Sequence, residues 1–117
     1  MKTGYEILIR QAYAGFNTRD IDSVLSLMVP DVAWPNGWEG GYVYGHDEIR
    51  DYWTRQWKEI NSSVEPITVS EEPDGRIVVD VHQLAKDSSG KILFEGDVKH
   101  IYTLENGLIK SMEIEKP

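Results

Sequence analysis

The chain changes its hydrophobic period halfway along, and that change constrains its fold more than any other feature. Up to residue 60 the apolar residues recur at three- and four-residue spacing. From Val64 onward they fall in β-branched runs separated by turn signals. Tyr5, Leu8, Ile9, Ala12, Tyr13 and Phe16 mark one face of a first helix. Asn17-Thr18-Arg19 interrupts that pattern, and Asp20 is placed to cap a short second helix. Its inward face is Ile21, Val24, Leu25 and Met28, and Pro30 ends it. Val32-Ala33-Trp34 predicts a short strand, and residues 38–45, rich in Gly and aromatics, predict a loop. A third helix begins near His46, where Asp47 and Glu48 suit the positive end of the helix dipole. Its stripe is Ile49, Tyr52, Trp53, Trp57 and Ile60.

The second half reads as four strands, roughly 64–70, 76–85, 92–104 and 108–114. Pro73-Asp74-Gly75, Asp87-Ser88-Ser89-Gly90 and Asn106-Gly107 are the turns. Asn106-Gly107 is a strong hairpin signal, because both residues tolerate positive φ. Helices first and an antiparallel meander after is an α+β plan, not the alternating plan of a doubly wound sheet. Such a sheet curves around the three N-terminal helices and leaves a cavity between them.

The 117 residues make one domain, 1–117. Twenty acidic against 12 basic residues give a net charge of −8, which disfavours nucleic acid and anionic membrane surfaces as partners. No apolar run approaches the roughly 20 residues of a membrane span, and the N-terminus has no apolar signal core. The expectation is a soluble cytoplasmic protein. With no cysteine, disulfides, thiolate metal sites and a Cys nucleophile are excluded. His46, His82 and His100 lack the close pairing of a zinc site, so no metal or cofactor is expected.

Two groups of residues carry candidate chemistry. Asp80 and His82 lie two apart on a strand and share a face, an arrangement that raises a His pKa and orients the ring for acid–base work. Asp97 and Lys99 repeat the relation on the next strand. The other reading is a solvated face or a dimer interface. With the hairpin turn near Ser88-Ser89, an odd register sum puts Asp80 and His82 with Asp97, Lys99 and Ile101. Val79, Val81, Phe94, Val98, His100 and Tyr102 then share the opposite, apolar face. An even sum would bring His82 and His100 together. The second group is aromatic: Trp34, Trp38, Tyr42, Tyr44, Tyr52, Trp53 and Trp57 hold seven of the twelve aromatics. Aromatic walls with a few polar tips suit a small apolar, ring-bearing ligand, although Trp53 and Trp57 also read as core. Asn36 reads equally as a turn residue and as a cavity amide.

Residues 10–22 resemble the opening of the nuclear transport factor two-like superfamily, and of its SnoaL-like branch in particular. Gly45-His46-Asp47-Glu48-Ile49-Arg50-Asp51-Tyr52-Trp53 is similar to that branch's third helix, and residues 102–109 to its last hairpin. The resemblance implies a cone-shaped, cystatin-like α+β barrel with a central cavity, and a homodimer formed through the sheet. The superfamily includes ketosteroid isomerases, polyketide cyclases, dehydratases, epoxide hydrolases and non-catalytic proteins. Ala12, Lys99 and Asn36 stand where ketosteroid isomerase carries its Tyr and two Asp, so that mechanism is missing. Trp34-Pro35-Asn36 matches the aromatic and Asn of limonene epoxide hydrolase. That family's Arg-x-Asp pair falls near Asp80-Val81-His82, and its last Asp falls at Ile114. Asp80 and Asp97 are candidates for the base of a SnoaL-type cyclase. The comparison places Asp80, His82 and Lys99 inside the cavity; hydrophobicity alone places Val79 and Val81 there. Followed here, it makes His82 the acid–base and Asp80 its orienting partner. Trp34, Asn36, Trp38, Trp53, Asp97 and Lys99 then contact the ligand. The implied function is cofactor-independent isomerase, cyclase, dehydratase or hydrolase chemistry. The alternative is a non-catalytic ligand-binding or dimerisation module.

Overall fold

The computed structural model describes residues 4–36 and 40–115. The chain runs α1 (Gly4–Asn17), α2 (Ile21–Leu25), β1 (Met28–Pro35), β2 (Tyr42–Tyr44), α3 (Gly45–Glu59) and β3 (Ile60–Glu71). It continues through β4 (Ile77–Asp87), β5 (Ile92–Glu105) and β6 (Leu108–Glu115). The α+β plan holds. Six strands form one curled, unclosed sheet in the order β2-β1-β6-β5-β4-β3. Among the described residues only the β1–β6 pair is parallel. No helix of the described residues is long and apolar enough to cross a membrane.

Local chemistry explains most boundaries. Asp20 caps α2 through the Ser23 N–H, and its carboxylate also accepts from the Ser23 hydroxyl at 2.7 Å. Asn106 and Gly107 both adopt positive φ, 53° and 80°, as the β5–β6 hairpin requires. In the β4–β5 turn the Asp87 carboxylate accepts from the N–H groups of Ser89 and Lys91. Three boundaries differ from expectation. The second helix ends at Leu25, and Met28 and Pro30 belong to β1. Pro30 is tolerated in a strand because it sits where the β1–β6 register breaks, between Met28 and Ala33, so its missing N–H costs no ladder bond. Residues 42–44 form a short strand on β1 rather than loop. β3 begins at Ile60, directly after α3, because Ile60 is already extended (φ −129°, ψ 130°).

The core lies between the helices and the concave face of the sheet. Ile9, Ala12 and Tyr13 of α1 and Ile49, Tyr52 and Trp53 of α3 meet Val79, Val81, Val98 and Tyr102 there. Asn17 joins the helical layer to the sheet: its side-chain amide donates to the Val64 carbonyl, and its oxygen accepts from the Val64 N–H at 2.9 Å.

Candidate functional site

The register of the central hairpin decides which side chains enter the cavity. Val79 pairs with His100, Asp80 with Lys99, Val81 with Val98 and His82 with Asp97, so paired numbers sum to 179. Odd parity turns Val79, Val81, Val98, His100 and Tyr102 inward and Asp80, His82, Asp97 and Lys99 outward.

A cavity of about 360 Å³ lies on the inward side, at the small end of the size range of ligand pockets. Its walls are largely aromatic: Tyr13, Phe16, Trp34, Tyr52, Trp53 and Tyr102. Trp34 meets Trp53 edge to face, with centroids 5.6 Å apart and planes at 89°. The described lining contains no Asp, Glu, Lys or Arg. Its polar end is a buried chain of three groups. The Tyr102 hydroxyl donates to the Tyr13 hydroxyl at 2.8 Å, and Tyr13 lies 2.7 Å from His100 Nδ1. If each hydroxyl donates onward, Nδ1 accepts and the ring proton sits on Nε2. Burial supports that state, holding the His100 pKa down at about 4 against an ordinary 6.5. Burial also raises the pKa of both tyrosines, and contact with Tyr102 adds to the effect on Tyr13. All three groups are therefore neutral at pH 7. Nε2 makes no hydrogen bond with the described residues, and His100 lines the cavity. A neutral imidazole with its proton on Nε2 can donate to a ligand oxygen and polarise a carbonyl. It is a weak base at a pKa near 4.

The outward placement of Asp80, His82 and Lys99 corrects the expectation that they lie in the cavity. Placing Asp80, His82 and Lys99 inside would turn the other face of this same register inward and expel Val79, Val81 and Val98 from the core. The Asp80–His82 contact does not form either. Asp80 accepts from the Thr68 hydroxyl, while His82 is held across the strand pair by Asp97 at 2.9 Å and Glu95 at 3.3 Å. Those two carboxylates raise the His82 pKa, but the side chain is 41% exposed on the outer face. Asp97 and Lys99 are exposed on the same face and do not touch the cavity. Among the aromatic candidates, Trp34 and Trp53 do line it. Trp38 lies outside the described residues. Asn36 is buried, but its backbone closes a turn with Gly40 and Gly41, and it is not part of the described lining. Tyr13, His100 and Tyr102 line the cavity and were not among the candidate site residues, although His100 stood as the alternative to His82. Their signal was the alternation of β5, which places His100 with Val98 and Tyr102. Among the described residues no group of three His, Asp or Glu converges as a metal site.

Several solved structures share this architecture. An NTF2-like protein of unknown function from Burkholderia pseudomallei superposes with a TM-score of 0.85 at 24% identity, covering 99% of this chain and 92% of that one. TerC, co-crystallised with polyporic acid, gives 0.85 at 29% identity over 98% of this chain and 92% of its own. RV0760c from Mycobacterium tuberculosis, in complex with estradiol-17β-hemisuccinate, gives 0.82 at 16% identity over 97% and 93%. No curated protein sequence matches significantly. The SnoaL-like domain model matches residues 9–112, from the first buried residue of α1 to the β6 methionine on the cavity wall, and the chain belongs to that family.

Proposed function

We propose that the cavity binds a small ring-bearing molecule and that His100, held by Tyr13 and Tyr102, donates a hydrogen bond to an oxygen on it. The observation that carries this reading is an aromatic cavity with one buried, fully neutral polar end whose outermost N–H lacks a partner among the described residues. Aromatic walls bind ring faces, and one oriented donor fixes which end enters first. Bound small organic molecules in TerC and RV0760c agree with such a use of the fold. Any chemistry here would proceed by polarisation of that oxygen, as in an isomerase or cyclase, with His100 as the donor rather than as the acid–base first assigned to His82.

Pairing of two copies through the sheet belongs to the same proposal. The outer face presents Val78, Leu84 and Ile101, none fully exposed, among Asp80, His82, Asp97 and Lys99. The mass of the protein in solution measures this directly.

The test of the cavity is a titration with estradiol and with polyporic acid, followed by the fluorescence of Trp34 and Trp53. The expected result is saturable quenching, weakened about fivefold or more in His100→Phe, the scale of one lost hydrogen bond. Absence of saturable quenching by either compound, or equal affinity in the variant, overturns the reading.

A further inference from the structure

His100 is not the only cavity group with spare hydrogen-bonding capacity. The Ser62 hydroxyl and the Gln83 amide also line the cavity, and neither has a side-chain partner among the described residues. Gln56, by contrast, is engaged with the Tyr52 hydroxyl. Ser62 is 3% exposed and His100 6%. Both residues line the cavity, so the partner each side chain takes can come from what the cavity receives.

The register shows how far apart these groups stand. Val64 pairs with Gln83 and Gln83 with Gly96; Ser62 pairs with Ala85 and Ala85 with Phe94. Ser62 and Gln83 therefore sit on adjacent inward rows toward the β4–β5 turn. His100 is four residues from Gly96 on β5, about 14 Å along the strand at roughly 3.4 Å per residue. Val81 and Val98, which pair directly, separate the two polar stations. Gly96 carries no side chain beside Gln83, and the Phe94 ring covers that position, 3.4 Å from where a Cβ would lie. The rim beyond it is formed by Leu93 and Phe94, both lining the cavity and both exposed; Ile114, also exposed, lines the cavity beside His100, its partner across the β5–β6 pair.

We infer that the ligand is elongated and carries a hydrogen-bonding group at each end. The deep end is an uncharged oxygen that accepts from His100 Nε2–H. The outer end meets the Ser62 hydroxyl and the Gln83 amide. An ionised deep end is disfavoured, because the described lining offers no counter-charge to offset its lost hydration. This inference rests on the reading of the cavity as a ligand site, and it adds the ligand's length and its second polar group.

Three probes of one shape separate the two ideas: biphenyl, 4-hydroxybiphenyl and 4,4′-dihydroxybiphenyl. Each is titrated against the wild-type chain and against Ser62→Ala/Gln83→Leu, with folding checked by thermal melting. The expected result is that each added hydroxyl tightens binding to the wild type by about five- to tenfold, the range of one neutral hydrogen bond. The double variant then loses the gain from the second hydroxyl and binds the monohydroxy probe unchanged. Should Gln83→Leu impair folding, Ser62→Ala alone is expected to lose part of the same gain. Equal binding of mono- and dihydroxy probes by the wild type overturns the inference. So does a variant that weakens both equally or neither. If none of the three binds, the ligand-site reading itself falls, a result distinct from equal binding by all.

Discussion

Acidification tests the state of His100 most directly. In the unfolded chain its imidazole titrates near 6.5; in the fold burial holds the pKa at about 4. Between those values the unfolded state binds the extra proton, so stability falls as pH falls. Above 6.5 the group is neutral in both states and contributes no pH dependence. By pH 4 the loss approaches its full size, about 3 kcal/mol at roughly 1.4 kcal/mol per pH unit. Carboxylates also titrate at the low end of this window, and the exposed His82 acts in the opposite direction. Asp97 and Glu95 raise its folded pKa, so its contribution is present below the unfolded value and fades as pH rises through the raised one. A difference measurement removes both. Urea unfolding of the wild type and of His100→Gln is followed from pH 7.5 to 4. Gln keeps a side-chain acceptor for the Tyr13 hydroxyl but cannot titrate. The variant's free energy is expected to fall less steeply with acid, the two curves converging by about 3 kcal/mol across the window. Parallel curves between pH 6.5 and 4 would refute the claim that His100 is buried and neutral.

Three further outcomes can be measured on the same protein. Tyr13→Phe removes the middle of the polar chain, leaving His100 Nδ1 and the Tyr102 hydroxyl without partners, so it should cost about 2–4 kcal/mol by urea unfolding. Tyr102→Phe removes only one end and should cost about 1 kcal/mol. Gly15→Ala should destabilise by about 1–2 kcal/mol, although Ala is the better helix former. Its added Cβ would lie 2.6 Å from a methyl of the fully buried Val24, and a rise in melting temperature would contradict that close approach. His82→Asn should leave ligand titrations unchanged, since the imidazole stands on the outer face; a loss of binding would relocate the site.

The fold was legible because its signals were local and agreed with one another. The helix faces at Ile9–Ala12–Tyr13 and Ile49–Tyr52–Trp53 and the Asn106-Gly107 hairpin each follow from nearest-neighbour chemistry. The site depended on one parity. Alternation along β5 was sufficient to choose it, since Val98, His100 and Tyr102 share a face with no charged neighbour. Placement by family resemblance instead favoured His82, whose polarity suits catalysis but equally suits a solvated face. The Tyr13–His100 contact spans 87 residues, so no local pattern announces it. Its helix and strand could each be read, but their meeting could not. β2 was missed because three residues are too few for a period to appear.

The Asn17–Val64 contact has a consequence beyond joining α1 to the sheet. β3 is a terminal strand, and the groups Asn17 engages point away from β4, where an incoming strand would bind. Two residues further on, the next edge position is Pro66, which has no N–H to offer, and a register irregularity follows between Pro66 and Thr68. The opposite edge, β2, is three residues long. Neither margin is a good template for another chain, so the sheet is poorly suited to growing sideways into a fibre. A second molecule would have to approach it broadside.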